Sequence, residues 1–460
     1  MSKPVFLFST LFFTFFVFAE TNVYKISMMG AEIGRSTETW SQANAADGSC
    51  ELTMHSVSEM SLARGVDSMT IKSDLTLSAD CRTFEPKRIK GEISEGGSKI
   101  FVEGINRNGT FETSLSKNGN RETSSFQMPK NTVFFGMIFR KLSSETLLKG
   151  GKTSIISEES LTESEISYSA SKNADGTVSA TVIFQGIPIK YTVSGGKVLR
   201  SEIQNGLIVY TLESLPEAKE TRTSGNPDIL QNTKLLNKGI TVKSPRKAKN
   251  TTFQIKNGDF ASIPETCFQK KAGENTLVVT FDASKCRNIP APDDTQSNII
   301  EDSNNPEIIR AAQKIVLGAP NQTEMVNRIA KFVYKHISSK NYNHGNMSAG
   351  EVLRKKSGDC TEHSALFAAL SRAAGIPTKM VYGVVMNPDG EFFFHNWNEA
   401  FADGKWVTID STFDIVPADS SRITLIYGGS DSRSRENVSL SVLRFLNNTE
   451  IFVRGFSNEQ

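Results

Sequence analysis

The sequence predicts an α+β fold in which antiparallel β structure comes first and a capped helix then packs on an antiparallel sheet. Three patterns carry that prediction. From Glu20 to about Leu215, short segments alternate apolar and polar residues, with Gly, Asn and Asp between them, as half-buried strands and their turns do. Residues 324–337 and 360–374 instead repeat apolar side chains at helical spacing. Residues 378–386, 391–401 and 405–412 return to Val, Ile, Phe, Tyr and Trp, separated by Asn387-Pro388-Asp389-Gly390 and Asp403-Gly404.

In chain order, Lys3 precedes an apolar run over 5–18 that ends in Val17-Phe18-Ala19 before Glu20. This pattern predicts a signal peptide over 1–19, cleaved after Ala19. Ser9, Thr10 and Thr14 interrupt the run, which is shorter than the roughly 20 apolar residues of a membrane span. The expected mature chain is periplasmic or secreted, with no integral membrane span. Residues 20–225 are expected to form an N-terminal antiparallel β domain, with strands at 22–28, 52–59, 68–77, 177–184 and 187–193. It shows no titratable constellation, and His55 reads as structural. Its expected role is docking of substrate or of a cell-envelope component. Residues 226–295 read as a linker and a small β unit, with strands at 252–255 and 276–281 and a basic run, Lys243 to Lys249, taken as solvated linker. A third unit covers 296–460, with closing strands expected at 423–427, 438–446 and 451–456.

Of five cysteines, four fall into sequence-local pairs, Cys50 with Cys81 and Cys267 with Cys286. In an exported chain this predicts two disulfides and one free thiol, Cys360. A net charge of +2 over 460 residues gives no bulk field for nucleic acid, and the residues call for no cofactor.

The free thiol has a specific setting, Ser357-Gly358-Asp359-Cys360-Thr361-Glu362-His363. Asp359 can cap a helix while Glu362 reaches back to the cap residue's own N–H, so Cys360 falls in the first turn. Leu366, Phe367, Leu370 and Ala373 supply a buried face, and Arg372, Gly375 and Pro377 end the helix. The helix dipole there is expected to favour thiolate. Downstream, a two-residue Asp403-Gly404 turn pairs Ala402 with Lys405, which sets Trp397 opposite Asp410 and His395 opposite Thr412. His395 and Asp410 are then diagonal neighbours on one face, and a slip of one residue would separate them. Singly, each of the three reads as an ordinary core or surface residue. Together they are the nucleophile, base and orienter that covalent catalysis requires. A zinc site from Cys360, His363, His395 and Asp410 is disfavoured, since no second Cys lies nearby and capping already employs the first turn.

The runs Gly358 to Leu366, Ala374-Gly375-Ile376-Pro377, Val381-Tyr382-Gly383, Phe394 to Glu399 and Trp406 to Phe413 resemble the core of the bacterial transglutaminase-like superfamily. The resemblance covers residues 296–430, with Ser411 where many relatives have Pro and Asp414 where Gly is common. It implies a papain-like core with a Cys360-His395-Asp410 triad, acting by acyl transfer through a Cys thioester on a glutamine carboxamide or an amide bond of a protein or peptide. Two alternatives stand beside this. One is a cysteine peptidase or amidase, and the other a catalytically silent binding or scaffold protein of the envelope.

Overall fold

The computed structural model describes residues 15–45, 47–213, 227–284, 286, 288–345, 347–429, 432–446 and 449–458. Most of the expected signal peptide, residues 1–14, lies outside them. The first strand, Phe15–Met28, starts ahead of the expected cleavage point after Ala19.

Among the described residues, fifteen strands form one sheet made of two meanders. One runs outward from Phe15–Met28 to Asn120–Gln127, the other from Ile208–Leu212 back to Val133–Phe134, and they join where Phe15–Met28 pairs antiparallel with Ile208–Leu212. The alternation read from the sequence is the cause. In Cys50–Arg64 and Asp67–Asp80, Leu52, Met54, Leu75 and Leu77 turn inward while Glu51, His55 and Asp74 beside them stay wet. The inward faces of both meanders meet in one core, where Trp40, Val102 and Phe111 share contacts with Ile155, Ile166 and Val182. Ala365 and Ala368 of the Cys360 helix join the same core, so the β domain and the helix are packed as neighbours. His55 lies on the outer face, 2.9 Å from Asp74 in an exposed pair. Both expected disulfides are formed, Cys50–Cys81 and Cys267–Cys286.

A five-stranded sheet holds Thr378–Met386 at its centre, flanked by Glu391–Ala402 and Arg422–Tyr427. Lys405–Ile409 and the two-residue strand Leu235–Leu236 pair with different stretches of Glu391–Ala402. The helix Cys360–Ala373 packs on this sheet, and Pro306–Val316, Gln322–His336 and Ala349–Lys355 cover it from the other side. Their apolar stripes, including Ile308, Val326, Ile329, Val333, Leu366 and Leu370, form a second core. A third sheet of four strands contains Ala248–Lys256, Gln269–Lys271 and Thr276–Thr280. The C-terminal strand Glu450–Asn458 completes it by pairing with Ala248–Lys256.

Two expectations are overturned. Residues 438–446, expected as a strand, belong to the helix Ser432–Leu446. Val438 and Phe445 lie seven residues apart and are both buried, the two-turn spacing of a helix, which a short apolar run does not distinguish from a strand. The basic run over 243–249 is not a free linker. It opens the strand Ala248–Lys256, and the Arg246 guanidinium sits 4.7 Å over the ring of Phe413 and donates to Ser421 Oγ at 3.0 Å.

Candidate active site

Asp359 caps the Cys360 helix as its sequence predicts. Its Oδ1 accepts the Thr361 N–H at 2.8 Å, and Glu362 Oε2 accepts the Asp359 N–H at 2.9 Å. Gly358 allows this: at φ +144° a Cβ on it would stand 2.4 Å from Glu362 Cβ. Cys360, at the first position of Cys360–Ala373, is partly exposed and is a free thiol.

The hairpin register deduced from Asp403-Gly404 is the observed one, running from Ala402 opposite Lys405 to Asn398 opposite Ile409. One step beyond that ladder, Asp410 lies 2.8 Å from His395, Nε2–H donating to Oδ2. His395 stands opposite Gly383 on the central strand. A Cβ at Gly383 would lie 2.0 Å from the Ile423 carbonyl and 2.7 Å from the Trp397 ring, so only glycine lets three strands close here. The Phe413 ring stacks on the His395 ring at 5.1 Å.

Cross-links fix the helix against the sheet. Asn396 donates to Thr361 Oγ1 at 3.2 Å, Asn398 to the Ser364 carbonyl at 3.2 Å, and Ser411 Oγ to the His363 carbonyl at 3.3 Å. These cross-links bring the Cys360 helix start to the strand that carries His395 and to the residue after Asp410.

The electrostatics differ from expectation at the thiol. Burial, then the Asp359 carboxylate, push the Cys360 thiol above its ordinary range, against the Asn396 N–H and Arg64, which favour the thiolate. Desolvation and a neighbouring negative charge thus outweigh the helix dipole. Burial would raise Asp410 too, but the charges of His395 and Arg422 and their hydrogen bonds hold it well below the usual carboxylate range. His363, fully buried, donates Nδ1–H to the Asp359 carbonyl at 2.6 Å, and burial pushes its imidazole down to about 4. Among the described residues, no three His, Cys, Asp or Glu side chains converge so as to hold a metal ion.

Sequence reasoning missed two arginines. Arg422, at the head of a buried apolar strand, donates to Asp410 Oδ2 at 2.5 Å and pairs with Asp419. Arg64 reaches Asp359 from the N-terminal sheet. A lone Arg opening an apolar strand was the available signal for Arg422. Nothing local marks Arg64.

Residues 309–411 match the family model of the transglutaminase-like superfamily, and Cys360, His395 and Asp410 all lie within that span. No curated protein matches the chain. Among solved structures, a candidate cysteine protease from Cytophaga hutchinsonii is similar at 19% identity, over 46% of this chain and 86% of that one, with a TM-score of 0.31. A β-barrel-like protein of a domain of unknown function from Brucella abortus is similar at 10% identity, over 42% of this chain and 94% of that one, with a TM-score of 0.30. The periplasmic domain of TgpA from Pseudomonas aeruginosa is similar at 14% identity, over 40% of this chain and 89% of that one, with a TM-score of 0.27. Over residues 309–411 the chain carries a transglutaminase-like domain.

Proposed function

We propose that this transglutaminase-like domain makes the chain a thiol acyl-transfer enzyme, with Cys360 as nucleophile, His395 as general base and acid, and Asp410 as orienter. The observation that supports it most is the buried His395–Asp410 pair on a strand whose Asn396, next to His395, bonds Thr361, next to the free thiol of Cys360. Because Asp410 engages Nε2, Nδ1 is the nitrogen left to take the thiol proton. The raised thiol makes that transfer part of the attack and not a step completed beforehand. Cys360 Sγ bonds to the carbonyl carbon of a glutamine carboxamide or peptide bond, and the C–N bond breaks as His395 returns the proton to the departing amine. The Cys360 N–H, in a first turn with no intrahelical acceptor, is the proposed oxyanion donor, a contact typically worth about 3 kcal/mol of barrier.

An amine or water then takes the acyl group from the thioester. Where water takes it, the outcome is peptide or amide hydrolysis, which is the second reading. Two disulfides fit a location outside the cytoplasm, and export with a protein or peptide substrate of the envelope, docked through the N-terminal sheet, completes the proposal.

The test is alkylation of the purified protein by a thiol probe, comparing wild type with Cys360→Ala and His395→Ala, followed by incubation with a glutamine peptide with and without a primary amine. Labelling confined to Cys360 and slowed without His395 is expected, as is ammonia or amine release that requires both. Labelling indifferent to His395 would sink the nucleophile assignment and leave the scaffold reading.

A further inference from the structure

Three successive turns of the N-terminal sheet press on the segment leading to Cys360. The turn between Cys50–Arg64 and Asp67–Asp80 sends Asp67 Oδ2 to accept the Tyr342 N–H at 2.9 Å. The next turn brings Gly96 so close that a Cβ on it would lie 2.2 Å from the Asn343 carbonyl. Ser98 and Lys117 bind Glu351 at 3.1 and 3.2 Å, and Asn118 binds Ser348 Oγ at 3.3 Å. At the inner end of this contact Arg64 Nη2 lies 2.9 Å from Asp359 Oδ2, with the side chains 18% and 5% exposed. The same guanidinium stacks 5.2 Å from the Tyr342 ring.

We propose that Arg64, 295 residues before its partner, is a positioning residue for the Cys360 nucleophile: it holds the Asp359 cap and neutralises its charge, so the N-terminal sheet completes the site. The inference rests on the reading of Cys360 as nucleophile. Asp359 does two jobs, capping the helix that carries the sulfur and placing a negative charge beside it. The first stabilises the site, while the second opposes thiolate formation. An arginine on the outer oxygen keeps the cap and cancels much of the opposing charge. Glu362 also opposes the thiolate, but burial and Asp359 raise its carboxyl well above the ordinary range and so weaken its charge. Tyr342 from the preceding loop also interacts with the sulfur, and the sheet brings the strand carrying His395, itself bonded to Asp410, to the same helix start.

The experiment reads the pH dependence of Cys360 alkylation by iodoacetamide in the full-length protein. Loss of a charge this near moves a titration midpoint by about one pH unit, or about tenfold in thiolate. Arg64→Gln is therefore expected to shift the midpoint up and slow labelling about tenfold at neutral pH, and Arg64→Lys to stay within about threefold of wild type. Should Arg64→Gln fail to fold, Asp359→Asn decides the matter, because Asn caps a helix about as well as Asp. With Arg64 present, Asp359→Asn is expected to shift the midpoint down, and the double variant to return toward wild type. An unmoved midpoint in Asp359→Asn, or slower labelling of folded Arg64→Gln with no change in midpoint, overturns the proposal. Labelling that ignores His395 would sink the nucleophile reading instead, and leave these shifts as they are.

Discussion

Arg422 binds the same carboxylate oxygen of Asp410 that His395 uses, at 2.5 Å, and both partners of this ion pair are buried. Asp410 is thus held from two sides, and its position does not depend on the imidazole alone. Removing one member of a buried pair leaves an uncompensated charge, which costs about 3–5 kcal/mol. Arg422→Met is expected to lower unfolding free energy by that amount in urea titration, while Asp410→Asn with Arg422→Met together costs less than the sum of the two. Strict additivity would show that the two do not interact.

His363 and Glu399 give opposite pH signatures. His363 is held neutral at about 4, so its contribution is full above the unfolded value near 6.5 and is lost as pH falls toward 4. Burial raises Glu399, whose carboxylate oxygen lies 2.9 Å from the Tyr427 hydroxyl, to about 7, so its contribution is full below about 4.5 and is lost as pH rises through 7. Wild type minus His363→Gln should therefore fall by on the order of 3 kcal/mol between pH 6.5 and 4. Wild type minus Glu399→Gln should fall by a similar amount, on the order of 3 kcal/mol, between pH 4.5 and 7. Denaturant titrations of the three proteins across this range check both signs, and parallel curves would contradict them.

At Gly383 the added methyl of Gly383→Ala meets the Ile423 backbone, which no side-chain movement relieves. Separation of the Arg422–Tyr427 strand from the centre of the sheet is expected, with a loss of at least about 2 kcal/mol and slower Cys360 labelling. A melting temperature equal to wild type would show that the strands yield without cost.

The Cys50–Cys81 bridge spans a separation of 31 residues between two long strands, and closing a loop of that size stabilises by roughly 3–4 kcal/mol on the chain-entropy model. Replacing both cysteines with serine should lower stability on that scale without changing Cys360 labelling, since the bridge lies far along the strands from the Arg64 turn. Equal stability of the serine variant in urea would contradict the estimate.

By itself the sequence determined the elements around the site. The Asp359–Glu362 cap predicts a helix over 360–374, observed as Cys360–Ala373, and the Asp403-Gly404 turn predicts the hairpin register that leads to Asp410. Both are local: capping reaches three residues and a two-residue turn fixes the pairing on either side of it. The helix Ser432–Leu446 was misread because a short apolar run carries no period long enough to choose between strand and helix. Tertiary structure alone decided the charges. Arg64 meets Asp359, Arg422 meets Asp410, and Arg246 leaves its basic run to cover Phe413, each across a distance in sequence that no local pattern encodes. The direction of the Cys360 shift follows from burial and the adjacent Asp359 charge, which Arg64 opposes. The helix dipole is written in the sequence, whereas burial and the Asp359–Arg64 pair exist only once the N-terminal sheet has folded against the helix.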